Sequence, residues 1–161
     1  MVDVFERALV LEQSEDRERA GDLALDDQRN ADRDVLLARF AGRVRVVGLE
    51  PELAPTLYRA REAGAPVDVA VSGIAADSLG AQRIGAIAWH VTQRHVAQAE
   101  LLGDDAIRAA QRFLWRELKL AVEPAAALPL AALQSGAIRP REGETLCLIV
   151  CGANVDLATL G

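Results

Sequence analysis

The sequence predicts an α/β fold: a partial three-layer unit in which short parallel strands are covered by helices, preceded by an acidic N-terminal segment that is helical or partly disordered. Two short apolar runs, "VRVVGLE" (44–50) and "TLCLIV" (145–150), are typical of buried parallel strands. Segments of helical periodicity lie between them, and this alternation is typical of a parallel sheet covered by helices. Residues 1–40 hold 11 acidic and 6 basic side chains, so we treat 1–40 and 41–161 as separate units.

The elements after residue 44 can be assigned in order. The first strand leads into a helix over 53–64, and Gly64 is a natural residue for its end. A second helix is predicted over 83–95, where apolar residues recur at helical spacing. The run 95–102 could then supply a short strand.

The clearest helix of the chain begins at Asp104 or Asp105, either of which could cap it. We expect its apolar face to be buried and its polar side chains to face water. The apolar face comprises Ala106, Ile107, Ala110, Phe113, Leu114 and Leu118, and the polar side comprises Arg108, Gln111, Arg112 and Glu117. Pro124 suits the first turn of a further helix, which is expected to run to Leu133 and end at Gly136.

Composition excludes some classes of function. The chain has 161 residues, is 51% hydrophobic and carries a net charge of −6, which argues against nucleic acid as a main partner. The longest uncharged run, 124–138, is too short to span a membrane, and the first residues carry no basic stretch typical of a signal peptide. We therefore expect a soluble cytoplasmic protein. In 14–40, apolar residues are sparse until Val35, so a helix packed by its end and partial disorder both stay open for the acidic segment.

Simple motifs of metal, redox and nucleotide chemistry do not fit this sequence. Cys147 and Cys151 are four residues apart in a predicted strand, so their Cα atoms lie roughly 13 Å apart, beyond disulfide reach. His90 and His95 lack the i, i+4 spacing of a helical zinc pair. The glycines form neither a dinucleotide-binding fingerprint nor a phosphate-binding loop.

Three blocks together carry a specific resemblance: "VRVVGLEPELAPTL" (44–57), "IAADSLGAQRIGAIAW" (74–89), and "LKLAVEPAAALPLAAL" (118–133) with "GETLCLIVCGANVDLATL" (143–160). In this order and spacing they resemble the C-terminal part of serine/threonine dehydratases. These are pyridoxal-phosphate enzymes of the tryptophan-synthase-β-like fold, also called fold type II. The resemblance covers roughly 41–161 and implies pyridoxal 5'-phosphate as cofactor and an amino acid as substrate.

The resemblance assigns roles to particular residues. Cys151 stands where the family has a small polar residue facing the pyridine nitrogen of the cofactor, with Gly152 and Asn154 beside it. The alternative role for Cys151 is that of a small apolar side chain buried in the core. Glu123 matches the family's Glu-Pro turn near the cofactor, and Ala126 replaces the usual glycine of that turn.

Two weaker assignments also follow from the resemblance. The loop 72–80, with Ala76 and Asp77, matches the stretch that flanks the substrate pocket, although Asp77 could instead cap the following turn. Glu50 matches a glutamate that binds a divalent cation in some members, but the further acidic ligand falls near Thr56. The alternative for Glu50 is a solvated carboxylate just after a strand.

The resemblance also implies a lysine that forms the Schiff base and removes the α-proton. The sequence contains a single lysine, Lys119, which lies at the end of an amphipathic helix and lacks the family's Ser-x-Lys-x-Arg-Gly surroundings. The family's Ser-Gly-Asn-His and tetraglycine loops are not found either. We therefore expect that no catalytic residue of the reaction lies in this chain, that it does not bind the cofactor covalently, and that it is inactive alone.

Two hypotheses remain open from sequence. The chain is a truncated or incomplete dehydratase, an ammonia-lyase that would convert a hydroxy-amino acid to a 2-oxo acid and ammonia. Alternatively it is a non-catalytic interaction or oligomerisation module, or one half of a split enzyme. Either way we expect self-association or a complementary chain, because a vacated cofactor cleft would expose apolar surface near Cys151.

Overall fold

The computed structural model describes residues 8–13 and 44–160, with side chains described over 44–160. Its strands are β1 (Ala8–Gln13), β2 (Val44–Pro51), β3 (Val96–Leu102) and β4 (Glu144–Leu148). Its α-helices are α1 (Thr56–Ala63), α2 (Ala86–His95), α3 (Asp104–Leu118) and α4 (Leu128–Ser135), and short 3₁₀ turns cover Pro124–Ala127 and Leu157–Leu160.

The strands form one sheet in the order β3-β2-β1-β4. β2 and β3 are parallel neighbours, as expected of strands joined through helices. β1 pairs antiparallel with both β2 and β4, so β2 and β4 run in the same direction without touching each other. The predicted α/β fold with short parallel strands covered by helices is confirmed.

Consecutive residues of β2 point to opposite faces of the sheet, and each face packs against different helices. Val47 and Leu49 belong to the larger core cluster, which also contains Ile107 of α3 and Leu128 of α4. Val46 points the other way, into a smaller cluster with residues of α1 and β3. This alternation is the period-2 geometry of a strand buried on both faces, and it makes the unit three layers deep.

Most predicted elements after residue 44 are found, with shifted ends. α1 begins at Thr56 rather than residue 53, because Pro55 provides its N-cap. The predicted helix ends at Gly64 and Gly136 are confirmed, since both glycines adopt the left-handed conformation that closes a helix. Pro124 opens a 3₁₀ turn, and the α-helix starts only at Leu128.

The amphipathic prediction for α3 needs two corrections. Ile107, Ala110 and Leu114 are buried, but Phe113 and Leu118 of the predicted apolar face are 42% and 56% exposed. Gln111, expected to face water, is buried instead and donates its Nε2 hydrogen to the carbonyl oxygen of Val122 at 2.7 Å. Periodicity identified the helix correctly, but it could not show how far the neighbouring elements extend along it.

β4 corrects the expectation that both apolar runs form buried strands. Its residues are only half-buried and Cys147 is exposed, because β4 lies at the edge of the sheet beside β1 alone. Within the acidic segment, the structure describes 8–13 as a strand rather than a helix, because its backbone pairs with β2 on one side and β4 on the other. The remaining residues of 1–40, including the apolar cluster at Val35–Phe40, lie outside the described residues.

Among the described helices, none is both long and apolar enough to cross a membrane.

Candidate cofactor site

The structure brings two of the family-like blocks together at a junction formed by Glu123 and Gly152. The backbone N–H of Glu123 donates to the carbonyl oxygen of Gly152 at 3.1 Å. Gly152 adopts a φ of +83°, and a Cβ atom placed on it would overlap the carboxyl group of Glu123. A side chain at position 152 is therefore excluded both by the backbone conformation and by the space that Glu123 occupies.

Cys151 and Asn154 flank this junction along the chain. Cys151 is half-buried just beyond the end of β4, whereas Asn154 is exposed next to a tight turn in which the Val155 N–H donates to the Ala153 carbonyl at 2.9 Å. Neither Cys147 nor Cys151 forms a disulfide bond. The half-buried position fits a thiol that borders a site better than one enclosed within the core.

Buried alanines and a side-chain amide fix the turn that carries Glu123. Ala126, which replaces the family's glycine, is 1% exposed, and its N–H donates to the Glu123 carbonyl at 3.0 Å. The bond from Gln111 to the Val122 carbonyl fixes the residue just before Glu123. Sequence reasoning missed Gln111 because its partner lies beyond the end of its own helix.

Two hydrogen bonds connect the loop 72–80 to neighbouring parts of the structure. The Ser72 N–H donates to the Leu53 carbonyl at 2.9 Å, and the Ile74 N–H donates to Oδ2 of Asp104 at 3.1 Å. Asp104 was expected to cap α3 but is instead the first residue of that helix. Its Oδ2 accepts the hydrogen bond from the loop rather than one from the start of α3. Its Oδ1 is buried without a hydrogen-bond partner among the described residues.

The same loop carries the two predicted pocket residues. Ala76 is half-buried and Asp77 is exposed, while their neighbours Ala75 and Leu79 are buried in the larger core cluster. The loop is therefore anchored by its apolar residues. The role of Ala76 and Asp77 beside a substrate stays a prediction.

Glu50 occupies a position that the sequence did not predict. It is 3% exposed, so the interpretation as a solvated carboxylate is wrong. Its Oε1 accepts the Leu57 N–H at 2.7 Å and its Oε2 accepts the Tyr58 N–H at 2.8 Å. The carboxylate thereby satisfies two of the unpaired donors at the start of α1, where a negative charge also interacts favourably with the helix dipole.

A divalent cation at Glu50 stays a prediction without support from this geometry. Thr56, which stands near the position of the family's further acidic ligand, donates its hydroxyl to the Ala81 carbonyl at 2.7 Å. Within the described ranges, no group of three or more His, Cys, Asp or Glu side chains could hold a metal ion.

Lys119 lies at the C-terminal end of α3. It is exposed, adopts a left-handed φ of 59° as the C-cap, and donates from Nζ to the Arg116 carbonyl at 2.6 Å. Its ammonium group thus interacts with the last turn of its own helix, a favourable place for a positive charge.

A concavity of about 630 Å³ lies elsewhere, between α1 and the residues around Val69. It shares no lining residue with the junction. Three of its charged side chains are paired: Glu62 with Arg59, and Asp68 with Arg83, which does not line the concavity.

Comparisons with known proteins identify the family to which the chain is related. A family model described as "Pyridoxal-phosphate dependent enzyme" matches residues 35–152. The chain is 38% identical to a phenylserine dehydratase of Ralstonia pickettii over 120 residues, which cover 74% of this chain and 37% of that enzyme. It is 33% identical to the biosynthetic L-threonine dehydratase IlvA of Pasteurella multocida over 127 residues, which cover 78% of this chain and 25% of that enzyme.

Solved structures show the same relationship. The threonine deaminase of T.th. matches with a TM-score of 0.68 and 30% identity, over 77% of this chain and 45% of that one. Maize serine racemase matches with a TM-score of 0.64 and 30% identity, over 76% of this chain and 38% of that one. The chain thus spans between a quarter and just under half of the length of these relatives.

Proposed function

The chain belongs to the family of pyridoxal-phosphate-dependent enzymes, and we propose that it supplies the wall of a hydroxy-amino-acid dehydratase site that faces the pyridine ring of the cofactor. The observation that carries this proposal is the junction of Glu123 with Gly152, next to the half-buried Cys151. The reaction would be elimination of water from a hydroxy-amino acid, followed by hydrolysis to a 2-oxo acid and ammonia. The relatives named for phenylserine and L-threonine support this substrate class.

The residues at the junction fit the ring end of pyridoxal phosphate. A thiol just after a strand offers a compact donor for a ring nitrogen, and the missing side chain at Gly152 allows the backbone to approach a flat ring. A thiol leaves that nitrogen largely unprotonated, whereas an aspartate would favour the protonated form. When bound, the cofactor supplies an electron sink for the charge left by removal of the α-proton.

The other residues of the chain have supporting roles in this proposal. Glu123 fixes the strand end through its backbone bond to Gly152 and fills the space beside it. The buried alanines behind Glu123 exclude water from that side. The loop with Ala76 and Asp77 would border the bound amino acid.

In this proposal, the lysine of the reaction comes from outside this sequence. Lys119 is its single lysine, and its ammonium group is bonded to the end of α3. A base that removes an α-proton needs to reach that proton within about 3 Å or through one water. We therefore assign covalent attachment and proton transfer to a complementary chain or to a further part of the same domain.

A complementation assay tests this function. The full chain is co-expressed with the N-terminal part of the Ralstonia pickettii phenylserine dehydratase, up to the start of the matched region, and release of 2-oxo acid from phenylserine and threonine is measured. We expect turnover from the pair and from neither part alone. Cys151→Ser should retain turnover and Cys151→Ala should lower it, because only serine keeps a donor for the ring nitrogen. Turnover by the chain alone would contradict the proposal, and so would an inactive pair that associates and binds pyridoxal phosphate.

A second candidate function, a non-catalytic interaction or oligomerisation module, is favoured by exposed apolar side chains. Ile87, Leu157 and Leu118 are 75%, 57% and 56% exposed. Exposed apolar side chains mark an interface where they form one contiguous patch. Light scattering separates the cases: self-association, with Cys151 near the contact, supports this candidate, and a monodisperse monomer with no binding of an apolar dye refutes it.

A further inference from the structure

β1 lies outside the part of the chain that matches the family, yet it occupies the middle of the sheet. The match begins at residue 35, after β1 and before β2. β2 and β4 are both inside the match, and β1 separates them. We call the position between β2 and β4 the slot.

The register shows how completely β1 fills this slot. Its residues pair with 44–48 of β2 on one side and with 144–148 of β4 on the other. The other edge of β2 pairs with β3. Within the sheet, β2 is therefore linked to β4 through the strand that occupies the slot. Adjacent strands lie about 4.8 Å apart, which places β2 and β4 roughly 10 Å from each other.

A side-chain pair also crosses the slot. The guanidinium group of Arg45 in β2 lies 3.1 Å from the carboxylate of Glu144 in β4. The two strands are therefore held at a spacing of one intervening strand by a contact that involves no residue of β1. The slot has a defined width that is set partly by the matched region itself.

β1 differs from its neighbours in its direction and in the length of chain that joins it to the next strand. β2, β3 and β4 run the same way, as in sheets whose strands are joined by helical crossovers, whereas β1 runs against them. β1 is joined to β2 by residues 14–43, a connection several times longer than a typical hairpin loop.

We propose that β1 is a displaceable strand, which closes the sheet of this chain and gives way to an extended strand from the rest of a dehydratase domain when the two associate. The inference rests on the proposed function, because it names the surface at which the complementary part binds. β1 pairs with β4 as far as Leu148, three residues before Cys151. Exchange of the strand in the slot would therefore take place beside the strand end that borders the cofactor.

A designed disulfide tests the placement of β1. Val10 is the register partner of Cys147, and directly opposed residues of antiparallel strands have Cα atoms about 4.5–5.5 Å apart, within disulfide range. In the full chain with Cys151→Ser, we expect Val10→Cys to cross-link to the exposed Cys147 under oxidised glutathione. The matched control is Leu11→Cys, whose partner is Leu146, and it should not cross-link. Equal cross-linking of both variants, or of Leu11→Cys alone, would overturn the placement.

The same variant tests displacement. The probe is the N-terminal part of the Ralstonia pickettii phenylserine dehydratase, and its affinity is measured for the oxidised and the reduced Val10→Cys chain. We expect the oxidised form to bind at least roughly tenfold more weakly, about 1.4 kcal/mol at 25 °C, and reduction to restore binding. Equal affinity of the two forms, or no binding by either, would overturn the proposal. Neither readout needs turnover, so a pair that exchanges β1 but releases no 2-oxo acid would contradict the proposed function alone.

Discussion

β2 and β4 are both short strands rich in apolar residues, but their surroundings in the sheet differ. In β2, every residue from Val46 to Pro51 is buried, because β1 and β3 flank it and helices cover both of its faces. In β4, Leu146 and Leu148 pack partly against the larger core cluster, and Cys147 is exposed. A short apolar run therefore identifies a strand, but the burial of that strand depends on what lies beside it.

The largest expected effect separates these two strands directly. Leu49→Ala in β2 removes a side chain that is 2% exposed, and we expect a loss of about 2–5 kcal/mol in the free energy of unfolding. Leu146→Ala in β4 should cost less than half as much, because solvent already reaches that side chain. Urea denaturation measures both values. Equal losses would mean that β4 is as buried as β2 in solution.

Removing the buried carboxylate of Glu50, near the end of β2, has the next largest expected effect. Glu50→Ala leaves the N–H groups of Leu57 and Tyr58 without their acceptor, and we expect a loss of about 1–3 kcal/mol in stability. Glu52→Ala, two residues along and exposed, is the matched control and should change stability little. A stability that rises on addition of a divalent cation in the wild type but not in Glu50→Ala would instead support the metal role.

These residues show where sequence reasoning reaches its limit. Local signals sufficed for the strands at 44–50 and 95–102, and for the helix ends at Gly64 and Gly136, because periodicity and glycine conformation act over a few residues. Gln111 was expected to face water, and a solvated carboxylate was one of two alternatives for Glu50, because their hydrogen-bond partners lie outside their own helix and strand. The junction of Glu123 with Gly152 could be expected from the family resemblance, but its backbone bond required the fold.

The next expected effect concerns the junction. Gly152→Ala forces a side chain into a left-handed backbone conformation and into the carboxyl group of Glu123, and we expect a cost of about 1–3 kcal/mol. Glu123→Ala in the same chain should recover part of this cost by removing the overlap but not the backbone strain. Thermal unfolding of the single and double variants gives the coupling. Strictly additive losses would show that the two residues are not in contact.

The smallest effect is the pH dependence of the pair that spans the slot. Burial acts to raise the pKa of Glu144, but the Arg141 N–H and the Arg45 guanidinium outweigh it and lower the pKa below its ordinary value of 4.5. The pair therefore stabilises the folded state above the unfolded pKa, and this stabilisation is lost as the pH falls through the lower folded pKa. We expect Glu144→Gln to remove up to about 1 kcal/mol of stability at pH 7 and to flatten the acid limb of the pH profile. The exposed Glu142→Gln is the control, and an identical acid limb in both variants would contradict the assignment.

The central claim is that this chain provides the ring side of a pyridoxal-phosphate site, while the lysine comes from elsewhere. Borohydride trapping of the full chain with pyridoxal phosphate, followed by peptide mapping, tests it most directly, with Lys119→Arg as the control for surface labelling. We predict no stoichiometric adduct on the chain alone and, after complementation, a stoichiometric adduct on the lysine of the other part. A stoichiometric adduct on Lys119 would contradict the claim.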